Sequence, residues 1–133
     1  MESIETQLAS GQAAPESARA FVREILKAWE LHRISQVTEL LISELVTNAV
    51  RHVDSTITVR ASRRTSRVRV EVEDASPTPP RLQHPQPDEP DGRGILIIDT
   101  LADDWGTDVD SDGKTVWFEI DLATATVKTQ EDL

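Results

Sequence analysis

The stretch ISQVTELLISELVTNAVRH, residues 34–52, decides the fold of this chain. It contains no glycine or proline, and apolar residues recur every four positions, at Val37, Leu41, Leu45 and Ala49. This spacing predicts an amphipathic helix that packs one face against a core.

Four polar side chains lie along one side of this helix: Glu44, Asn48, Arg51 and His52. At about 100° per residue, Asn48 and His52 point into the apolar arc, while Glu44 and Arg51 lie at its edge. A buried amide or carboxylate without partners costs about 1–3 kcal/mol, so we expect protein groups, water or a ligand to meet them. The alternative is a polar patch at the solvent boundary of a partly buried helix.

The composition narrows the class of protein. A chain of 133 residues with 38% hydrophobic content is typical of one globular domain. Its net charge of −10 argues against nucleic-acid binding and favours basic proteins as partners. Cysteine is absent, which fits a reducing interior. With no apolar run long enough to span a membrane and an acidic N-terminus, we expect a soluble cytoplasmic protein.

The rest of the chain divides into a flexible arm at 1–14, a domain at 15–122 and a flexible tail at 123–133. Pro15 begins a first helix. Apolar and polar residues alternate at 57–61 and again at 68–72, which predicts two strands joined as an antiparallel hairpin. The same alternation directs Asp74 inward, either as a cap of the following turn or as a buried acid.

Six of the seven prolines fall within residues 77–91, so we predict a long irregular loop there. It ends at Gly92-Arg93-Gly94, before an apolar stretch that predicts a short third helix. Glycines at such a position let backbone N–H groups approach an anion, although an ordinary turn is the alternative. Two further strands are predicted, at 105–108 and 115–121.

Four motifs occur in order along the chain: Glu44-Leu-Val-Thr-Asn48-Ala-Val-Arg-His52, Asp74, Gly92-Arg93-Gly94-Ile95-Leu and Gly113-Lys-Thr115-Val-Trp-Phe. Together they resemble the GHKL ATPase superfamily, which includes gyrase, the heat-shock chaperone and histidine kinases. Within it, the chain is most similar to small bacterial anti-sigma-factor serine/threonine kinases and their stand-alone ATP-binding relatives. The resemblance covers residues 15–122.

The resemblance implies a role in binding ATP and Mg²⁺ for each motif. Asn48 would be the magnesium ligand through its amide oxygen, and Glu44 the general base that activates an attacking hydroxyl. Asp74 would accept the adenine amino proton. The remaining nucleotide contacts would come from Arg51, His52, Gly92, Arg93, Gly94, Ile95 and Thr115.

Two positions depart from the family pattern. The usual Asp-x-Gly-x-Gly is here Asp74-Ala-Ser-Pro-Thr, without either glycine, and we expect nucleotide binding to survive with altered affinity. The family would place Thr115 beside the adenine and Asp74, whereas the alternation of the last strand puts Thr115 on the opposite face.

The resemblance implies a two-layer α/β sandwich: a mixed, mainly antiparallel sheet with helices on one face and the nucleotide between the layers. The other face is available for a homodimer. We expect an ATP-binding regulatory protein that phosphorylates an anti-anti-sigma partner, sequesters a sigma factor, or does both. The alternatives are a nucleotide-gated binding module without kinase activity and a scaffold without a ligand.

A separate motif matches the spacing of a calcium-binding EF-hand loop: Asp108, Asp110, Asp112 and Gly113, followed by Glu119. An EF-hand also needs a helix on each side of the loop. Gly106 would break the first helix, and the segment from Thr115 alternates like a strand, so we interpret the motif as an acidic hairpin turn.

Overall fold

The computed structural model describes residues 2–52, 56–75 and 98–123. Within them, a five-stranded sheet carries two helices on one face, which confirms the predicted α/β fold. The strands are β1 Glu2–Leu8, β2 Ile57–Arg63, β3 Arg67–Asp74, β4 Asp104–Asp110 and β5 Gly113–Asp121. The helices are α1 Ala14–Ala28 and α2 Ser35–His52, with a 3₁₀ turn at His32–Ile34 and a short helical segment at 98–101.

The strand order is β1-β2-β3-β5-β4, and every pairing among these described strands is antiparallel. The expected mainly antiparallel sheet is therefore confirmed, and no parallel pair occurs in the part of the chain that the structure describes. Short turns join β2 to β3 and β4 to β5, and a tight connection can only produce antiparallel neighbours.

The N-terminal residues differ from the sequence prediction. The arm predicted at 1–14 is wrong for residues 2–8, because these form β1 and pair with β2 from Glu2 opposite Arg63 to Leu8 opposite Ile57. The physical reason is that β2 would otherwise present unpaired backbone groups at the edge of the sheet. The side chain of Leu8 also packs against the core. The tail predicted at 123–133 lies outside the described residues beyond Ala123.

The core lies between the helices and the inner face of the sheet, which we define as the face that carries Val59, Val70 and Phe118. These three side chains have no solvent exposure. Over most of their length, β2, β3 and β5 bury every second residue, so each of these three strands supplies one apolar face to the core and one polar face to the outside. The sequence alternation therefore identified the inner face correctly.

Polar contacts fix α2 against α1. The Arg23 guanidinium donates to Glu39 at 2.7 Å, and Arg19 donates to the Ser43 hydroxyl at 2.7 Å. Burial raises the pKa of Glu39, but hydrogen bonds from Arg23 and Ser35 outweigh it and leave the pKa below its usual value. These contacts hold α2 in a defined rotation, which sets the direction of its polar residues.

Candidate functional site

Glu44 and Asn48 lie at the edge of the buried face of α2, and the predicted inward direction of His52 concerns a side chain outside the description. Glu44 and Asn48 are half-buried and Arg51 is exposed, while His52 is the last residue of the helix. The prediction that Asn48 points into the apolar arc is corrected to a position at its edge. The reason is that α1 and the sheet bury a face of α2 centred nearer Thr38, which is fully buried.

The chain connectivity brings the C-terminal half of α2 to one end of the sheet. Residues 53–56 link His52 to Ile57, a connection that spans at most about 18 Å. Ile57 begins β2 beside the end of β3, since Thr58 pairs with Glu73. Asp74, the last residue of the central strand β3, therefore lies at the end of the sheet to which α2 leads.

Asp74 is buried on the inner face, as the alternation of β3 predicted. Its side chain is 1% exposed, and the Lys114 ammonium lies 3.4 Å from its Oδ2. The Lys114 side chain is 4% exposed. A buried carboxylate at this strand end is a hydrogen-bond acceptor held in a region of low dielectric, where directional polar contacts are strong.

Lys114 is the residue that the sequence analysis missed. It pairs with Asp74 across β3 and β5, and it shares the inner face with Val116 and Phe118. The signal was available, because the alternation that buries Val116 and Phe118 also turns Lys114 inward. The family motif indicated Thr115, the next residue along β5, instead.

Thr115 does not lie beside Asp74. The register places it opposite Glu73 on the outer face of the sheet, and it is partly exposed. The assignment of Thr115 from the resemblance is therefore corrected, because successive side chains of a strand point to opposite faces. The alternation of β5 had indicated this outcome.

The start of β5 is in close contact with the end of β3. A Cβ atom on Gly113 would lie 2.0 Å from the Asp74 carbonyl oxygen, and Gly113 has a φ of +148°. A side chain therefore cannot be accommodated here without moving one of the two strands. Gly113 allows the hairpin to deliver Lys114 next to Asp74.

The loop residues predicted for the site, Gly92, Arg93, Gly94 and Ile95, lie outside the described residues, as does the segment 76–78 that lacks the family's glycines. Where the description resumes, Ile98 is completely buried in the core.

The acidic motif at 108–119 is a hairpin between β4 and β5, as interpreted from the sequence. The Asp110 carboxylate accepts the Asp112 backbone N–H at 2.8 Å, and Glu119 accepts hydrogen bonds from Arg67 and Arg69 at 2.8 and 3.1 Å. Within 2–52, 56–75 and 98–123, no group of three or more His, Asp or Glu side chains is placed to hold a metal ion. Over the same ranges, no helix has the length and apolar character that crossing a membrane requires.

Residues 9–120 match the family model of a histidine kinase-like ATPase domain. The chain belongs to this family. The match includes α1, α2, β2 to β4 and nearly all of β5, and with them Glu44, Asn48 and Asp74. No protein of curated function matches the sequence significantly.

Solved structures share the fold of this histidine kinase-like ATPase domain. The RsbU and RsbW domains of Rv1364c from Mycobacterium tuberculosis align with a TM-score of 0.68 at 22% identity, over 91% of this chain and 32% of that one. The histidine kinase domain of the blue-light activated histidine kinase of Erythrobacter litoralis EL346 aligns with a TM-score of 0.58 at 17% identity, over 90% of this chain and 64% of that domain. The present chain thus spans less than two thirds of each of these structures.

Proposed function

We propose that this chain is an ATP-binding regulatory protein that phosphorylates a serine or threonine of an anti-anti-sigma protein, sequesters a sigma factor, or does both. One observation carries the proposal. The buried carboxylate of Asp74 lies at the end of the sheet to which α2 leads, and Glu44 and Asn48 are half-buried along that helix. Membership of the histidine kinase-like ATPase domain family supports ATP as the nucleotide.

The residues at this end of the sheet fit a nucleotide with magnesium. Asp74 offers a buried acceptor for the adenine amino group, which is a use for a carboxylate in a region of low dielectric. Asn48 offers one amide oxygen, and Mg²⁺ usually takes one or two protein ligands together with phosphate oxygens and water. When bound, the ion would neutralise phosphate charge. The exposed Arg51 would contribute charge to the phosphates.

Glu44 would act as the general base. It lies one helical turn before Asn48 on the same side of α2, so a hydroxyl that approaches the phosphates would come within its reach. Its carboxylate would take the proton of the partner's serine or threonine as that oxygen attacks the terminal phosphorus and ADP leaves.

The partner proposal rests on the likeness of the motifs to anti-sigma-factor kinases and on charge. A net charge of −10 favours a partner that presents a basic surface. The likeness to the structure that contains an RsbW domain is one of fold. It supports the assignment of the domain type and does not identify a partner.

A nucleotide-gated binding module without kinase activity is the second candidate, because it would use the same pocket and would differ only in whether a partner presents a hydroxyl to the nucleotide. The two candidates differ in a transfer assay with γ-labelled ATP and purified anti-anti-sigma proteins. The kinase predicts label on a serine or threonine of the partner. If wild type transfers no label yet binds ATP, the module is the correct function.

The variant Glu44→Ala tests whether Glu44 is the general base. We expect it to abolish transfer while ATP affinity, measured by calorimetry, stays within about threefold of wild type, since a general base contributes to the chemical step. Glu24→Ala, at an exposed position of α1, is the matched control and should transfer at the wild-type rate. Full transfer by Glu44→Ala would exclude Glu44 as the base.

A further inference from the structure

The turn between β2 and β3 lies in a basic stretch of an otherwise acidic chain. Residues 55–70 contain five arginines and no aspartate or glutamate, whereas the whole chain has a net charge of −10. The turn and its flanks have the sequence Arg63-Arg64-Thr65-Ser66-Arg67. They lie at the end of the sheet opposite to Asp74, because β2 runs away from that end and β3 returns to it. The turn is therefore separate from the proposed nucleotide site.

Two hydroxyl groups are exposed at the tip of this turn. Thr65 and Ser66 lie between Arg64 and Arg67, and the Arg64 backbone N–H donates to the Arg67 carbonyl oxygen at 2.9 Å. The side chains of Thr65, Ser66 and Arg64 are all exposed. Over residues 2–52, 56–75 and 98–123, neither hydroxyl has a hydrogen-bond partner, and the Arg64 guanidinium has neither a hydrogen-bond nor an ion-pair partner. These groups are available to a second protein.

The arginines on either side of the tip concentrate positive charge on the outer face of the sheet. The alternation of the hairpin directs Arg64 and Arg67 to this face, and they lie opposite each other across the turn. Like charges in such a position are destabilising. Glu119 compensates Arg67 through an ion pair at 2.8 Å, and among the described residues no acid compensates Arg64. An anion at the tip would relieve this repulsion.

The residues before Ser66 have the charge pattern of a kinase recognition site. Protein kinases that select basic substrates recognise arginines three and two residues before the acceptor hydroxyl, where Arg63 and Arg64 stand here. We propose that Ser66 is a phosphorylation site for a kinase of this class and that Arg64 binds the phosphate. A kinase takes its acceptor in an extended segment, and a hairpin tip is among the parts of a fold that open at the lowest cost.

The transfer itself follows the usual course of phosphoryl transfer from ATP. The Ser66 hydroxyl oxygen attacks the terminal phosphorus, the bond from that phosphorus to the bridging oxygen breaks, and ADP leaves with the electron pair. A base of the kinase takes the hydroxyl proton.

The phosphate would find cations in place. Phosphoserine carries a charge of about −1.5 to −2 at pH 7, and guanidinium groups bind phosphate oxygens well. Arg33 also approaches the turn, since its guanidinium donates to the Leu122 carbonyl oxygen at 3.4 Å while the Leu122 N–H donates to the Ser66 carbonyl oxygen at 2.8 Å. Phosphorylation therefore replaces repulsion between arginines by attraction, and it stabilises the tip.

The catalytic subunit of cAMP-dependent protein kinase, which selects this arginine pattern, tests the acceptor on the folded chain with γ-labelled ATP. We expect one phosphate per chain, located at Ser66 by mass spectrometry. Ser66→Ala should lose the label, whereas Thr65→Ala, which removes the neighbouring hydroxyl, should keep it. Arg63→Gln combined with Arg64→Gln should lower kcat/KM about tenfold or more. Label on Thr65, or label on a synthetic peptide of residues 60–70 but not on the folded chain, would overturn the proposal.

Phosphoserine placed at position 66 during translation tests the role of Arg64, because its occupancy does not depend on a kinase. The phosphorylated chain should melt a few degrees above the unmodified chain, and phosphorus NMR should show a second phosphate pKa below its usual value of about 6. Both effects should shrink in Arg64→Gln and persist in Lys27→Gln, at an exposed position of α1. An unchanged or lower melting temperature, or a phosphate that titrates as in a free peptide, would overturn binding by Arg64. Neither test requires this chain to bind ATP, so their outcome is independent of the proposed function.

Discussion

At Gly113, the geometry of the candidate site depends on the close approach of β5 to the end of β3. We expect Gly113→Ala to lower the free energy of unfolding by about 2–4 kcal/mol, because the new Cβ would lie 2.0 Å from the Asp74 carbonyl oxygen. Urea denaturation measures the change. Gly11→Ala is the matched control, since Gly11 has a similar φ of +158° but no atom within 4 Å of a Cβ. Equal losses in the two variants would show that the contact with Asp74 is unimportant.

We expect Asn48 to be responsible for the dependence of ATP binding on Mg²⁺. Asn48→Ala should weaken ATP binding about tenfold or more in Mg²⁺, because an amide ligand is lost, and should change it little in EDTA. Calorimetry in the two buffers provides the comparison. Gln36→Ala, at an exposed position of the same helix, should bind like wild type. An equal loss with and without Mg²⁺ would remove Asn48 from metal binding.

The positions of single residues followed from the sequence where a strict period applies. The alternation of side chains along a strand predicted that Asp74 is buried. The same alternation turns Lys114 to the inner face and Thr115 to the outer face. The half-burial of Asn48 could not be obtained in this way, because it depends on how α1 and the sheet rotate α2. Long-range packing of this kind leaves no local pattern.

At the level of the strands, Glu119 joins β3 to β5 on the outer face. Burial raises the pKa of Glu119, but hydrogen bonds from Arg67 and Arg69 outweigh it and lower the pKa below 4.5. The unfolded chain therefore takes up the proton first as pH falls. The stability from this carboxylate is present above about pH 4.5 and is lost as pH falls through the lower pKa of the folded state.

The variant Glu119→Gln measures this contribution. At pH 7 we expect it to be less stable than wild type by about 1–2 kcal/mol in urea denaturation, and the difference should shrink as pH falls below 4.5. Glu73→Gln is the control, because the Glu73 side chain is 53% exposed and 3.6 Å from Arg60. Its effect should stay within about 0.5 kcal/mol. A difference for Glu119→Gln that does not change with pH would contradict the account.

A second prediction at the level of the strands concerns the contribution of β1 to stability. Removal of residues 2–8 should lower the free energy of unfolding by about 2–4 kcal/mol, because backbone pairs with β2 and the packing of Leu8 are lost. The control is a chain that ends at Ala123 and keeps all the described strands. Unchanged stability after removal of residues 2–8 would mean that β1 contributes nothing to the domain.

The elements were predictable to different degrees. The alternating segments of β2, β3 and β5 and the helical periods of α1 and α2 were found from the sequence because each buries one face. The strand β1 was not, since it has few apolar residues and Ile4 is 42% exposed. Its strand conformation comes from backbone pairing with β2, which an apolar pattern does not reveal.

For the whole molecule, ATP should raise stability through mass action. At about 100 times the dissociation constant, a ligand that binds only the folded state stabilises it by about 2.7 kcal/mol. Thermal unfolding with and without ATP measures the shift, which should be a few degrees for a domain of this size. A melting temperature independent of ATP would favour a scaffold without a ligand.

Calorimetric titration of wild type with ATP in Mg²⁺ tests the central claim most directly, namely that the end of the sheet at Asp74 and the polar side of α2 form a nucleotide site. We expect saturable binding of one ATP per chain, with weaker binding of GTP. The absence of ATP binding by the folded wild-type protein would contradict it.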